Sequence, residues 1–266
     1  MNSSQATSKV VYKPVLFIIG AFLISWVCIF ALESTYLFGY EMPGFFVVFF
    51  DFTKSAAPLA AALFLLGKHL PERGFLVGYI FGERKGIVNY AVTALIFILH
   101  FFTFYLFRSE AIILTAPVFL STFAGQLCFG GGLEEGGWRG YLLPALQTKM
   151  PFLLSSIITS VIWSLWHLPY FFIPTSSQYG SSFFGYMFVA IMLGFLLAAI
   201  YMLTKSILLC TLFHALSNTL VMTLRADMGN MALMLMFTAT SIGGAVICQV
   251  LAAQEKKHAA GSVFYD

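Results

Sequence analysis

Apolar residues along this chain do not alternate with period two. They run in unbroken blocks, separated by short stretches where Gly, Pro and charged residues collect. Eight blocks can be drawn, at residues 14–36, 43–66, 87–107, 111–133, 151–173, 182–204, 207–226 and 229–252. Each is close to the roughly 20 residues that a bilayer core demands of a helix. Backbone groups in lipid must be paired within the spanning element, so continuous apolar runs of this length predict helices, whereas a membrane barrel would alternate. The expected fold is all-α, a polytopic membrane helix bundle with about eight transmembrane helices.

The breaks between blocks carry the organisation. The longest polar stretch runs from Gly67 to Gly86 and includes "GKHLPERG" and "GERKG"; it reads as a solvated loop whose basic residues could also touch lipid headgroups. The first block follows Lys9 and Lys13 and lacks a small-residue cleavage site, so it reads as a retained span and not as a signal peptide. No internal repeat or low-complexity linker divides the chain, and residues 1–266 read as a single integral-membrane domain.

Composition supports the lipid reading. Hydrophobic residues make up 60% of the chain and charged residues 9%, far from the balance of a soluble domain. A net charge of +3, with no basic stretch interleaved with aromatics, argues against a nucleic-acid partner. Cys28, Cys128, Cys210 and Cys248 all fall in apolar runs without metal or disulfide spacing. In the eight-span plan, eleven of the fourteen Lys and Arg residues fall on one side of the membrane; Arg108 and Arg225 fall on the other, and Lys54 lies within a span. Basic residues accumulate in cytoplasmic loops, which predicts a multi-pass protein of the cell membrane with both termini in the cytoplasm.

Against this background the ionisable residues in the apolar blocks stand out, because charge at membrane depth is costly and marks either pairing or function. "GGGLEEGGWRG" places Glu134, Glu135 and Arg139 directly after the fourth block. Glu135 and Arg139 are four apart and share a helical face, so they can pair, while Glu134 points elsewhere. The plain alternative is a structural ion pair with a spare carboxylate at a water interface. "WSLWHLPYFF" sets His167 four residues after Trp163 and just before Pro169, and "LFHALSN" stacks His214 on Asn218. A histidine hydrogen-bonded inside a bundle, or a polar pair joining two helices, explains either motif singly. Together, two carboxylates, two imidazoles and an amide are the types needed to activate water and stabilise an oxyanion. Asp51 and Lys54, three apart in the second block, read as a mutually neutralising pair, and His100, alone among aromatics, as a satisfied bundle residue. No GxSxG, HExxH, P-loop or dinucleotide fingerprint occurs.

These motifs resemble the CAAX-processing and bacteriocin-processing intramembrane proteases, which include the type II CAAX prenyl endopeptidases. That family carries EExxxR, then (F/W)xxxH, then HxxxN; this chain has "EEGGWR" at 134–139, "WSLWH" at 163–167 and "HALSN" at 214–218, in that order. The resemblance covers roughly residues 125–220, the expected catalytic core. It implies that Glu134, assisted by His167, activates water, that His214 and Asn218 stabilise the oxyanion, and that Glu135, Arg139 and Trp163 support them. It leaves two mechanisms open. One uses zinc or another divalent metal held by Glu134, His167 and His214; the other is a metal-free glutamate mechanism.

Because water is a reactant, the expectation is a wet cavity between spans four and seven, opening toward the cytoplasm and admitting an extended peptide at the membrane. A prenylated tail, a bacteriocin leader and a regulatory membrane protein would all fit that description. The competing readings are a proton-coupled transporter using the same acids and histidines, and a non-catalytic immunity protein that protects by binding.

Overall fold

The computed structural model describes residues 10–109 and 115–262, with side chains described as far as residue 254. Among the described residues all regular structure is helical. Six helices are long and apolar enough to cross a membrane: α1 (Pro14–Phe38), α2 (Gly44–Leu65), α4 (Ile87–Leu106), α9 (Phe183–Thr204), α10 (Ile207–Leu224) and α11 (Met231–Ser262, with its apolar portion ending at Gln254). Shorter elements complete the chain: α3 (Phe75–Phe81), α5 (Ala116–Phe129), α6 (Glu135–Gly137), a π-helical turn (Trp138–Leu142), α7 (Leu143–Gln147), α8 (Phe152–Trp166) and a 3-10 turn (Leu168–Phe171).

The long helices start and stop where local chemistry dictates. Pro14 opens α1, where its missing N–H is not needed. Gly39, at φ 67°, closes the helix in the left-handed conformation and donates its N–H to the Thr35 carbonyl at 3.0 Å. Ser182 and Ser206 cap α9 and α10, their hydroxyls accepting from the backbone N–H of Gly185 and Leu209.

Helix α9 is the hub, with twelve of its residues from Ala190 to Thr204 buried against α4, α8, α10 and α11. Helices α1 and α2 pair with each other and leave broad aromatic and aliphatic faces exposed, as a lipid solvent requires.

Two expected spans are broken. Helices α5 and α8 have 14 and 15 residues, about 21 and 22 Å of rise, short of a bilayer core of about 30 Å. The segment expected at 111–133 begins partly outside the described residues; its helix stops at Phe129 and the chain resumes as α6, so the crossing is completed by α6, the π turn and α7. The span expected at 151–173 ends at Trp166, with Pro169 favouring the 3-10 turn that follows. Irregular backbone at membrane depth is tolerated where it is buried in protein or lines a cavity, and both breaks meet at one level of the bundle.

The glycines after the break have a packing role. A Cβ on Gly136 would strike the Leu59 side chain, and one on Gly137 would lie 2.5 to 2.6 Å from Cβ, C and O of Pro58. Their bare backbones press the acidic segment onto α2. The Gly67 to Gly86 stretch, expected as a plain solvated loop, contains α3, and the Tyr79 hydroxyl of that helix donates to the Gly136 carbonyl.

Cross-links fix the two ends of the bundle. At one end the Lys13 backbone N–H donates to the Tyr141 hydroxyl at 2.8 Å, and the Ser206 hydroxyl donates to the Ile80 carbonyl at 3.3 Å. At the other end the Ser109 N–H donates to the Leu224 carbonyl at 3.1 Å, and the Thr175 hydroxyl donates to the Glu33 carboxylate at 2.8 Å.

Candidate active site

The two broken helices and α10 bring the motif residues together. Glu135, fully buried, accepts from Arg139 Nη1 at 2.8 Å and from His214 Nδ1 at 2.7 Å, both on its Oε1. The i, i+4 spacing on the α6 and π turn makes the first bond; the second bridges to α10. A carboxylate accepts only, so His214 Nδ1 carries a proton and Nε2 is left for chemistry. A neutral His214 offers a lone pair there, and an imidazolium offers a second N–H. The positive charge of that second state would be balanced by Glu135.

Glu134 points the other way, as the spacing predicts. Its Oε2 accepts from the Trp163 indole N–H at 2.7 Å, and Oε1 makes no hydrogen bond within the described residues. His167, at the end of α8, directs Nδ1 at the Trp163 carbonyl, 3.0 Å away; a carbonyl cannot donate, so this proton also sits on Nδ1 and Nε2 holds a lone pair. His167 lies within electrostatic range of both Glu134 and His214.

Trp163 organises the cluster. Its ring lies edge-on to His167 at 5.5 Å and to His214 at 5.1 Å between centroids, and the Arg139 guanidinium lies 5.1 Å from its centroid. One indole therefore touches both histidines, bonds one acid and borders the cation paired with the other. Tyr186 of α9 also packs on His167, at 5.3 Å between centroids.

A cavity of about 1090 Å³ adjoins the cluster, with Trp163, His167, His214 and Asn218 on its wall. Glu134, bonded to Trp163, is not itself part of that wall. The cavity is wider than the expected space between spans four and seven: His100 and Phe104 of α4 and Met234 and Phe237 of α11 also line it. Its outer rim, Ser177 to Ser182 and Gly229, belongs to the end that holds the α8–α9 connection and the α10–α11 turn. The sequence-based expectation sets the opening at the end rich in basic loops; at that end Phe17, Trp138, Tyr141 and Leu142 are fully buried.

Packing also sets the partners of the other polar residues. Asn218 Nδ2 donates to Gln126 Oε1 at 2.9 Å. Gln126 lies outside the three motifs, and its signal in the sequence is a lone amide at membrane depth in "STFAGQLCF". His100 is only half satisfied, with Nε2 donating to the Ser217 hydroxyl at 2.8 Å and Nδ1 buried without a partner. Gly131 lies so close to His214 Nε2 that a Cβ there would collide with the ring. Asp51 and Lys54 do pair, as expected. Cys28, Cys210 and Cys248 are buried, and Cys128 is exposed.

Among the described residues, no three His, Cys, Asp or Glu side chains are grouped so as to hold a metal ion. Glu134 Oε1, His167 Nε2 and His214 Nε2 are left unpartnered by the bonds at Oε2 and Nδ1, but these donors are not grouped as a ligand set in this arrangement. The residues do not fit a metal as they stand.

The fold and cluster define a polytopic helical membrane protein with a buried acid, imidazole and amide site beside a large cavity. Residues 115–220 match the family described as type II CAAX prenyl endopeptidase Rce1-like. A stretch of 99 residues is 35% identical to CAAX prenyl protease 2 of Methanococcus maripaludis, covering 35% of this chain and 36% of that protein. The matched segment, residues 115–220, contains all three motifs and is what the chain has in common with that family. The match spans about a third of the curated relative's length.

Proposed function

We propose that the protein is an intramembrane endopeptidase that hydrolyses a peptide bond of a membrane-associated protein or peptide, by a glutamate-dependent mechanism. The observation that carries this reading is the convergence of Glu134, Trp163, His167 and His214, from three separate elements, beside one cavity. The likeness of residues 115–220 to CAAX prenyl proteases supports it.

In this mechanism a water reaches Glu134 Oε1, while the Trp163 N–H holds Oε2 and orients the carboxylate. Glu134 takes the proton as the water oxygen bonds to the carbonyl carbon, and His167 Nε2 accepts a hydrogen bond from the same water. The carbonyl oxygen becomes an oxyanion stabilised by His214 and by the Asn218 amide. To donate from Nε2, His214 must be doubly protonated, and Glu135 at 2.7 Å stabilises that cation. Collapse of the intermediate breaks the C–N bond, and the proton held by Glu134 passes to the leaving amine.

Glu134→Gln should reduce cleavage of a peptide substrate in reconstituted vesicles by about 10²-fold or more, the scale of a lost general base, while the protein remains inserted. Full turnover by this variant would refute the assignment. The discontinuous α5–α6 crossing is also a device of transporters. Substrate flux across sealed vesicles without proteolysis would favour that reading.

A further inference from the structure

Each of the three glycines that follow α5 is pressed against its neighbours. A Cβ on Gly130 would collide with the Gln126 side-chain amide, one on Gly131 with the His214 ring, and one on Gly132 would lie 2.9 Å from the Leu127 carbonyl oxygen. The Gly132 N–H donates to the Gln126 carbonyl at 3.1 Å. The loop is thereby closed over Gln126, and its first glycine leaves the space in which that side chain crosses to α10. There the amide meets two residues one helical turn apart. Its Oε1 accepts from Asn218 Nδ2 at 2.9 Å, and its Nε2 donates to Met222 Sδ at 3.3 Å. Gln126, Asn218 and Met222 all border the large cavity.

The Met222 end sets the direction of both bonds. A thioether accepts and cannot donate, so the Gln126 amino group belongs on the Met222 side and its oxygen on the Asn218 side. Facing an oxygen, Asn218 must present its own amino group. Turned over, Gln126 would set an oxygen against the sulfur, two acceptors with no proton between them, and Asn218 would have to turn its oxygen to Gln126. In the observed arrangement one N–H of Asn218 is taken by Gln126 and the second remains to donate.

We propose that Gln126 is a positioning residue for the oxyanion site: anchored by Met222 and seated over Gly130, it fixes the Asn218 amide as a donor and keeps its second N–H available to the developing oxyanion. A primary amide free to turn over would offer its oxygen as readily as its nitrogen, and an oxygen repels the charge that the site has to stabilise. The clamp is independent of what the site does, and its effect on turnover rests on the endopeptidase reading.

The clamp is tested on the full chain in detergent micelles, labelled with nitrogen-15 at asparagine only. Four side-chain amides are then visible by NMR, at Asn2, Asn89, Asn218 and Asn230, and an Asn218→Ala sample identifies the relevant one. Gln126→Leu should move the Asn218 amide proton signals upfield and speed their exchange with water. The signals of Asn89, whose Nδ2 donates to the Leu203 carbonyl at 3.1 Å across the bundle, should stay in place and so report an intact fold. An unchanged Asn218 signal in Gln126→Leu overturns the clamp. In peptide cleavage, Gln126→Leu should lower kcat about 2- to 12-fold, the worth of one neutral hydrogen bond, at unchanged KM. In an Asn218→Ala background, itself slower by about 10²-fold, the same substitution should cost nothing more, because the residue it positions is gone. A full further loss in that background overturns the positioning role. Shifted amide signals together with wild-type turnover by Asn218→Ala, or with no peptide cleavage by the unaltered protein, overturn the effect on turnover and the reading beneath it, and leave the clamp supported.

Discussion

Replacing Glu135 separates what holds the site together from what reacts in it. Glu135→Gln keeps the side-chain size and removes the charge that faces Arg139 at 2.8 Å and His214 at 2.7 Å. Arg139, 1% exposed, would become a buried cation without its counter-ion; breaking such a pair costs about 3 to 5 kcal/mol. His214 would lose a charge-assisted hydrogen bond worth about 1.5 to 3 kcal/mol, which equals about 10- to 150-fold in rate if the bond matters only in the transition state. Glu135→Gln should therefore lower both stability and turnover. The double variant Glu135→Gln with Arg139→Met removes both charges, and an apolar pair in place of a buried ion pair is close to neutral. It should recover most of the stability and none of the turnover. Reversible unfolding in mixed micelles reads the first quantity and peptide cleavage at saturating substrate reads the second. Recovery of turnover in the double variant would refute the role given to Glu135 behind His214. Unchanged stability in the single variant would refute the buried pair as a structural element.

Other outcomes follow from close approaches in the structure. Gly131→Ala places a methyl against His214 Nε2 and should abolish cleavage, with the inserted protein still resisting proteolysis; normal turnover would show that Nε2 is not used. Gly137→Ala puts a Cβ 2.6 Å from the Pro58 carbonyl oxygen, and should destabilise the protein by about 1 to 3 kcal/mol, the usual cost of overpacking, measured by thermal unfolding in detergent. A metal-stripped preparation should cleave at the untreated rate under chelation; loss of activity restored by zinc would show that the donors rearrange into a ligand set.

Much of this was legible along the chain. The six long helices begin and end within a few residues of the apolar blocks, because lipid imposes both the length and the composition of a span on each segment by itself. The Glu135 to Arg139 pair was equally local, since helical periodicity alone sets residues four apart side by side. What the sequence could not convey depends on residues far apart meeting. The bond from Trp163 to Glu134, the bond from Gln126 to Asn218 and the double use of Glu135 each join different helices and exist only once those helices pack. The full burial of Trp138 and Tyr141 and the set of helices that line the cavity are likewise products of packing. Spans and local pairs are set by solvent and helix geometry, segment by segment. The depth, partners and direction of the site are set by which buried faces meet, a many-body outcome that no single segment encodes.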